Sequence, residues 1–173
     1  MMDWLSGFFK QLGKYDWLNI LFPGVFFVLL SRGLSCPLLQ PENWLERIGS
    51  YLLYGELCSR VGAIIIEPVI KHAARLKFVE RCDFEDYRKE NREFANILVT
   101  KLNFCRTLCA MGVVLMISRF VVLVPNLSQL TGVSFGWKDV GLVFWTLLLA
   151  AAYCRQVDFI VESVEKYLKD RAK

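Results

Sequence analysis

An apolar run that carries three charges sets the terms for the whole chain. Residues 48–70 are long enough to cross a bilayer as a helix, yet they hold Glu56, Arg60 and Glu67. At 3.6 residues per turn Glu56 and Arg60 are i,i+4 neighbours, and Glu67 lies about three turns beyond Glu56. An undistorted helix therefore puts all three on one face. A charged residue near the centre of a spanning helix costs about 2.5 to 3.5 kcal/mol on insertion scales, whereas each strong apolar residue returns only about 0.3 to 0.6 kcal/mol. Alone, this helix inserts poorly. Its charged face is expected to turn toward other helices, which makes it the inner helix of a membrane bundle.

The rest of the chain can supply that bundle. Hydrophobic residues make up 55% of its 173, and mean hydropathy is +0.38, too apolar for an ordinary soluble domain and too short for two domains. Three more apolar segments have spanning length: 17–34, with Trp17 at one interface and Pro23-Gly24 inside; 104–124, closed by Pro125-Asn126; and 140–161, uncharged until Arg155 and Asp158. Pro23 lacks a backbone donor and should kink the first of these. The fold class expected is all-α, a single polytopic membrane domain with four transmembrane helices. Residues 1–16 put Trp4, Leu5, Phe8, Phe9 and Leu12 on one helical face, opposite Asp3, Lys10, Gln11 and Lys14. This reads either as an interfacial helix in the headgroup plane or as an N-terminal helix packed within an oligomer. No cleavable signal is expected, because the first long apolar run begins only at Trp17 and no small-residue cleavage site follows it.

Between the second and third spans, residues 71–103 read as a helical hairpin projecting from the membrane. Asp83 looks like an N-cap, and Phe84, Tyr87, Phe94 and Leu98 form an apolar stripe. The outgoing arm is shorter than the returning one, so the returning arm needs a break or a start near Arg88. The stripe, with Arg88, Lys89 and Arg92, is the expected docking surface for a cytosolic protein. Six acidic residues offset most of the eight basic ones there, which argues against direct nucleic-acid binding and against lipid-specific binding. Residues 162–173 read as a charged helical tail. Fifteen Lys and Arg fall in the N-terminal segment, the hairpin and the tail with its approach, against three on the other side. The positive-inside rule then puts both termini and the hairpin in the cytoplasm.

Depth arithmetic pairs the remaining charges. Arg119 and Glu56 lie at similar distances below the outer edge, and Glu67 and Arg106 both lie near the inner edge, which leaves Arg60 to share Glu56. Such a network either fixes helix register or forms a polar pathway for ions or coupling. No metal, cofactor or catalytic set is expected. His72 is the only histidine, no zinc or serine-nucleophile motif is present, and Glu56 and Glu67 lie about 16 Å apart along one helix. The cysteines, including the Cys105/Cys109 pair, read as small buried apolar residues.

Tyr15-Asp16, Asn19, Leu21 and Pro23-Gly24 before an apolar run, with Asn103 and Arg106-Thr107 opening the third span, resemble a set of small four-span bacterial membrane proteins from anti-phage defence systems. The membrane component of Kiwa-type systems is among them. The resemblance implies an inner-membrane protein that works with a cytosolic partner. The function expected is a non-enzymatic, homo-oligomeric membrane component, in contact with membrane lipid, that anchors, senses for or responds to that partner. The alternative is a small oligomeric ion channel or membrane-permeabilising effector with the second span lining the pore; a transporter ranks third.

Overall fold

A computed structural model describes residues 17–34, 43–74, 76–123 and 136–171. Every regular element among them is helical. A π-turn, Trp17–Leu21, leads into α1, Phe22–Gly33. Next come α2, Trp44–Val61, a π segment, Gly62–Ile66, and α3, Glu67–Ala74, which continue one another. Residues 76–80 have no regular structure. The chain then forms α4, Arg81–Glu90, α5, Arg92–Leu123, and α6, Trp137–Arg171. The expected interfacial helix over 1–16 lies outside the described residues, as do residues 35–42, Cys36 among them, and 124–135.

Both π segments have the same local cause. Pro23 is the second residue of α1 and Pro68 the second of α3, each directly after a π stretch. A proline inside an α-helix offers no N–H and its ring collides with the carbonyl four residues back. A π turn widens the helix and re-routes that carbonyl, so the chain passes each proline without breaking.

Of these helices, α5 (32 residues) and α6 (35) are long and apolar enough to cross a membrane, and a shorter apolar stretch covers Asn19–Gly33. At 1.5 Å per residue the two long helices run about 48 and 52 Å, against a bilayer core of about 30 Å. Both therefore extend well past their apolar halves. They pack along each other, α2 packs on α5, and α1 crosses α2. The core between them holds Phe27, Cys58, Ile66, Leu108, Met111 and Leu115.

Glycines set the closest approaches. A Cβ on Gly24 would land on the Tyr51 carbonyl oxygen, and one on Gly55 would land on the Ile20 carbonyl oxygen. The α1 segment and α2 thus touch backbone to backbone, a geometry that favours Cα–H···O contacts. Further along, a Cβ on Gly112 of α5 would collide with the Thr146 side chain of α6.

The region expected to be a two-armed hairpin is built differently. The outgoing helix stops at Ala74, and α4 lies back against α5 and the far end of α6. The break that the unequal arms require falls at Asn91, which leaves helical geometry with φ −115° and ψ 46°. Asp83 is not the N-cap: α4 starts at Arg81, the extended residue before it is Glu80, and Asp83 lies in the first turn. The expected tail is the continuation of α6. Its Val164 is buried with Tyr87 and Ala95, and Val79, Phe84, Tyr167 and Leu168 pack around them.

Candidate functional site

Among the described residues, Glu56, Arg60, Glu67, Arg106 and Arg119 separate into three ion pairs rather than one network, and Asp139 completes the third. At one end, Arg106 Nη1 donates to Glu67 Oε2 at 2.6 Å, joining α3 to α5. Both side chains are largely covered, at 18% and 32% exposed. Gly62 makes room for the arginine stem, since a Cβ there would lie 3.1 Å from Arg106 Cγ.

At the opposite end the expected Glu56–Arg119 pair is replaced. Arg119 Nε donates to Asp139 Oδ1 at 2.6 Å and Nη2 to Oδ2 at 2.9 Å, both side chains being under one-tenth exposed. Arg119 Nη1 also donates to the Leu34 carbonyl at 2.8 Å, and Lys138 Nζ donates to the Gly33 carbonyl at 3.1 Å. Two cations thus satisfy carbonyls at the C-terminus of α1, where the helix leaves acceptors unpaired and its dipole is negative. Depth along the helices misdirected the expectation, because Asp139 stands at the first turn of α6 and reads in sequence as loop boundary. An acid in a helix's first turn opposite a buried arginine was the available signal.

Glu56 instead takes Arg60, whose Nε donates to Glu56 Oε1 at 2.7 Å within one turn of α2. The expected shared face with Glu67 does not form. The π segment between them holds about one extra residue in its turn and sets the following helix back by roughly 100°. Glu67 consequently meets α5, while the Arg60 side chain is 73% exposed and that of Glu56 44% exposed. Left against lipid, a charge near a helix centre costs about 2.5 to 3.5 kcal/mol, of which an ion pair offsets only part.

The seven residues of the expected docking surface divide. Tyr87 and Leu98 are buried and Phe84 is half-buried, with the Tyr87 ring meeting Tyr167 edge-on at 5.5 Å between centroids. Arg88, Lys89, Arg92 and Phe94 remain exposed. The covering surface is mainly α6, with Val79 from the outgoing side, and the pattern of residues 162–173 carries Val164, Tyr167 and Leu168 at helical spacing, which was the missed signal. Lys89 Nζ lies 2.6 Å from Asp86, and Arg171 reaches the same carboxylate at 3.9 Å. The hydrogen bond from Lys89 holds the Asp86 carboxyl below its ordinary value, Asp86 raises Lys89 in return, and burial pushes the Tyr87 phenol up. At the start of α4, Glu80, Cys82 and Asp83 converge within 4.8 Å, with the Cys82 thiol donating to both carboxylates at 3.7 and 3.9 Å. An apolar hollow between α4, α5 and α6 is lined by Phe78, Phe84, Val99, Leu102 and Ile160.

What this arrangement can do is mechanical. Ion pairs tie α3 to the middle of α5 and the end of α5 to the ends of α1 and α6, and α5 and α6 run unbroken from the apolar half into the charged end against which α4 packs. Comparison with protein-family models, with curated proteins and with solved structures returned no match.

Proposed function

We propose that this chain is a four-span, non-enzymatic component of a bacterial inner membrane, with both termini in the cytoplasm, that holds or responds to a cytosolic protein partner. One observation carries the reading. The long helices α5 and α6 leave their apolar halves unbroken and enter a charged platform, where α4 is clamped on them through Tyr87, Ala95 and Val164. Such a platform is rigidly tied to the spans and presents Arg88, Lys89, Arg92 and Phe94 outward. Mixed charge around a partly exposed apolar residue suits protein contact better than nucleic acid or lipid. The resemblance to membrane components of anti-phage defence systems assigns the partner to that setting.

Simultaneous charge reversal at Arg88, Lys89 and Arg92 should abolish co-purification of the native partner from membranes while protein level and oligomer size stay unchanged. Undiminished recovery of every partner by this triple variant sinks the proposal. A second reading, an oligomeric channel lined by the second span, is favoured by the exposure of Arg60. It requires that purified protein conducts ions in planar bilayers and that Glu56→Gln changes the conductance.

A further inference from the structure

We infer that the exposed face of α2 is a contact between copies of this chain, closed by ion pairs in which Arg60 of each copy bridges its own Glu56 and Glu56 of the second copy. The inference rests on the membrane-spanning reading above and adds the partner and the surface.

The position of the pair comes first. Glu56 lies 12 residues after Trp44, the start of α2, and Arg60 lies 14 residues before Ala74, the end of α3. At 1.5 Å per residue these are about 18 and 21 Å from the two ends of the continuous rod. The rod is longer than a bilayer core of about 30 Å, and on the expected span 48–70 the two groups still stand about 12 and 15 Å from its ends, farther than an arginine side chain extends. Three ion pairs are described along α2, α3, α5 and the first turn of α6, and two of them are taken up inside the protomer, Glu67 with Arg106 and Asp139 with Arg119. The Glu56–Arg60 pair alone among these faces outward.

The surroundings fit a helix. Gly49, Leu53, Glu56 and Arg60 follow one another at spacings of three and four, which makes one stripe on α2, and Ile64 in the π segment beyond it is also exposed. Leu53 is 63% and Ile64 71% exposed, and nothing lies within 4 Å of where a Gly49 side chain would stand. A second α2 can approach at Gly49 and interdigitate at Leu53 and Ile64.

Symmetry then selects the occupant. Copies inserted the same way round are related by an axis along the membrane normal, so their α2 helices run parallel. Arg60 of one copy stands one turn, about 6 Å, from the level of Glu56 of the other, within reach of a guanidinium that already holds its own Glu56 from one turn away. The face carries one charge of each sign and is complementary to itself. An unrelated helix would need the opposite pair in matching register, and lipid offers no partner.

The test uses full-length protein in native membranes. With two tags on co-expressed copies, Glu56→Arg alone and Arg60→Glu alone should each lower self-recovery about tenfold, the scale of one well-formed interfacial ion pair, and mixing the two variants should restore it. Independently of charge, Leu53→Cys should give an oxidation-dependent dimer band that is missing from wild type and from Phe144→Cys, an equally exposed position on α6. A Phe144→Cys dimer without a Leu53→Cys dimer overturns the inference. So does a self-recovery unaffected by both charge variants, or a conducting assembly in which Leu53→Cys stays uncrosslinked because Arg60 faces a water-filled lumen. Protein that resists carbonate extraction but is monomeric removes this inference and leaves the membrane reading standing; release by carbonate removes the membrane reading itself.

Discussion

Arg119 grips Asp139 through two hydrogen bonds, of 2.6 and 2.9 Å, and with its remaining terminal nitrogen holds the Leu34 carbonyl at 2.8 Å. A single side chain of α5 thereby joins the last turn of α1 to the first turn of α6. The Gly136 N–H also donates to Asp139 Oδ2 at 2.9 Å, so the carboxylate is held from the backbone before α6 as well. Because acceptor and donor groups here are almost wholly buried, breaking the pair leaves an uncompensated charge rather than a solvated one.

Asp139→Asn and Arg119→Met should each destabilise the protein by about 3 to 5 kcal/mol, the usual cost of orphaning one member of a buried pair. The swap Arg119→Asp with Asp139→Arg should recover only part, because the Leu34 carbonyl loses its donor. Thermal unfolding in detergent, followed by loss of the monodisperse species, measures both. A pair of single variants that melt with wild type would mean that the contact contributes nothing to the fold.

The crossing of α1 on α2 makes a sharper demand. Gly24→Ala and Gly55→Ala each place a methyl group on a backbone carbonyl that cannot swing aside, so the helices must separate. Each should lower stability by at least about 1 to 3 kcal/mol. Gly141→Ala, which has open space around it, should be neutral or stabilise by up to about 1 kcal/mol through helix propensity. Equal melting of all three variants would refute the close packing.

Tyr87 holds α4 to the end of α6. Tyr87→Ala removes a buried ring and should destabilise that contact by about 3 to 5 kcal/mol. The effect should be local. Amide exchange should accelerate over Arg81–Glu90 and the last turns of α6, while residues around Leu108 and Leu115 keep their protection. Uniform acceleration along the whole of α5 would show that platform and spanning half unfold as one unit.

Orientation has a direct readout in Cys82, which is exposed at the start of α4. A membrane-impermeant thiol reagent should leave it unlabelled in intact cells and label it after lysis. Labelling in intact cells would reverse the topology.

Several of these relationships were already legible along the chain. The helical class follows from long apolar segments, and the Glu67–Arg106 contact follows from matching depth on neighbouring helices. Unequal arm lengths asked for a break in the returning arm or a start near Arg88, and the helix is interrupted at Asn91. Pro23 and Pro68 marked where the helices could not stay regular.

Other relationships depend on how distant segments meet. That three charges sit on one apolar stretch is plain from the residue order; which way each points is set by local backbone and packing, because a π turn before Pro68 rotates Glu67 away from Glu56 and Arg60. Likewise, the arginine in the apolar half of α5 had to find an acid, but Asp139 was chosen over Glu56 by the packing of α6 on α5. Tyr87 read as open surface because its cover, Val164 and Tyr167, lies more than seventy residues further along. Helical periodicity is a local property that any run of residues displays, whereas the partner of a face is set by packing, register and a single added residue in one turn.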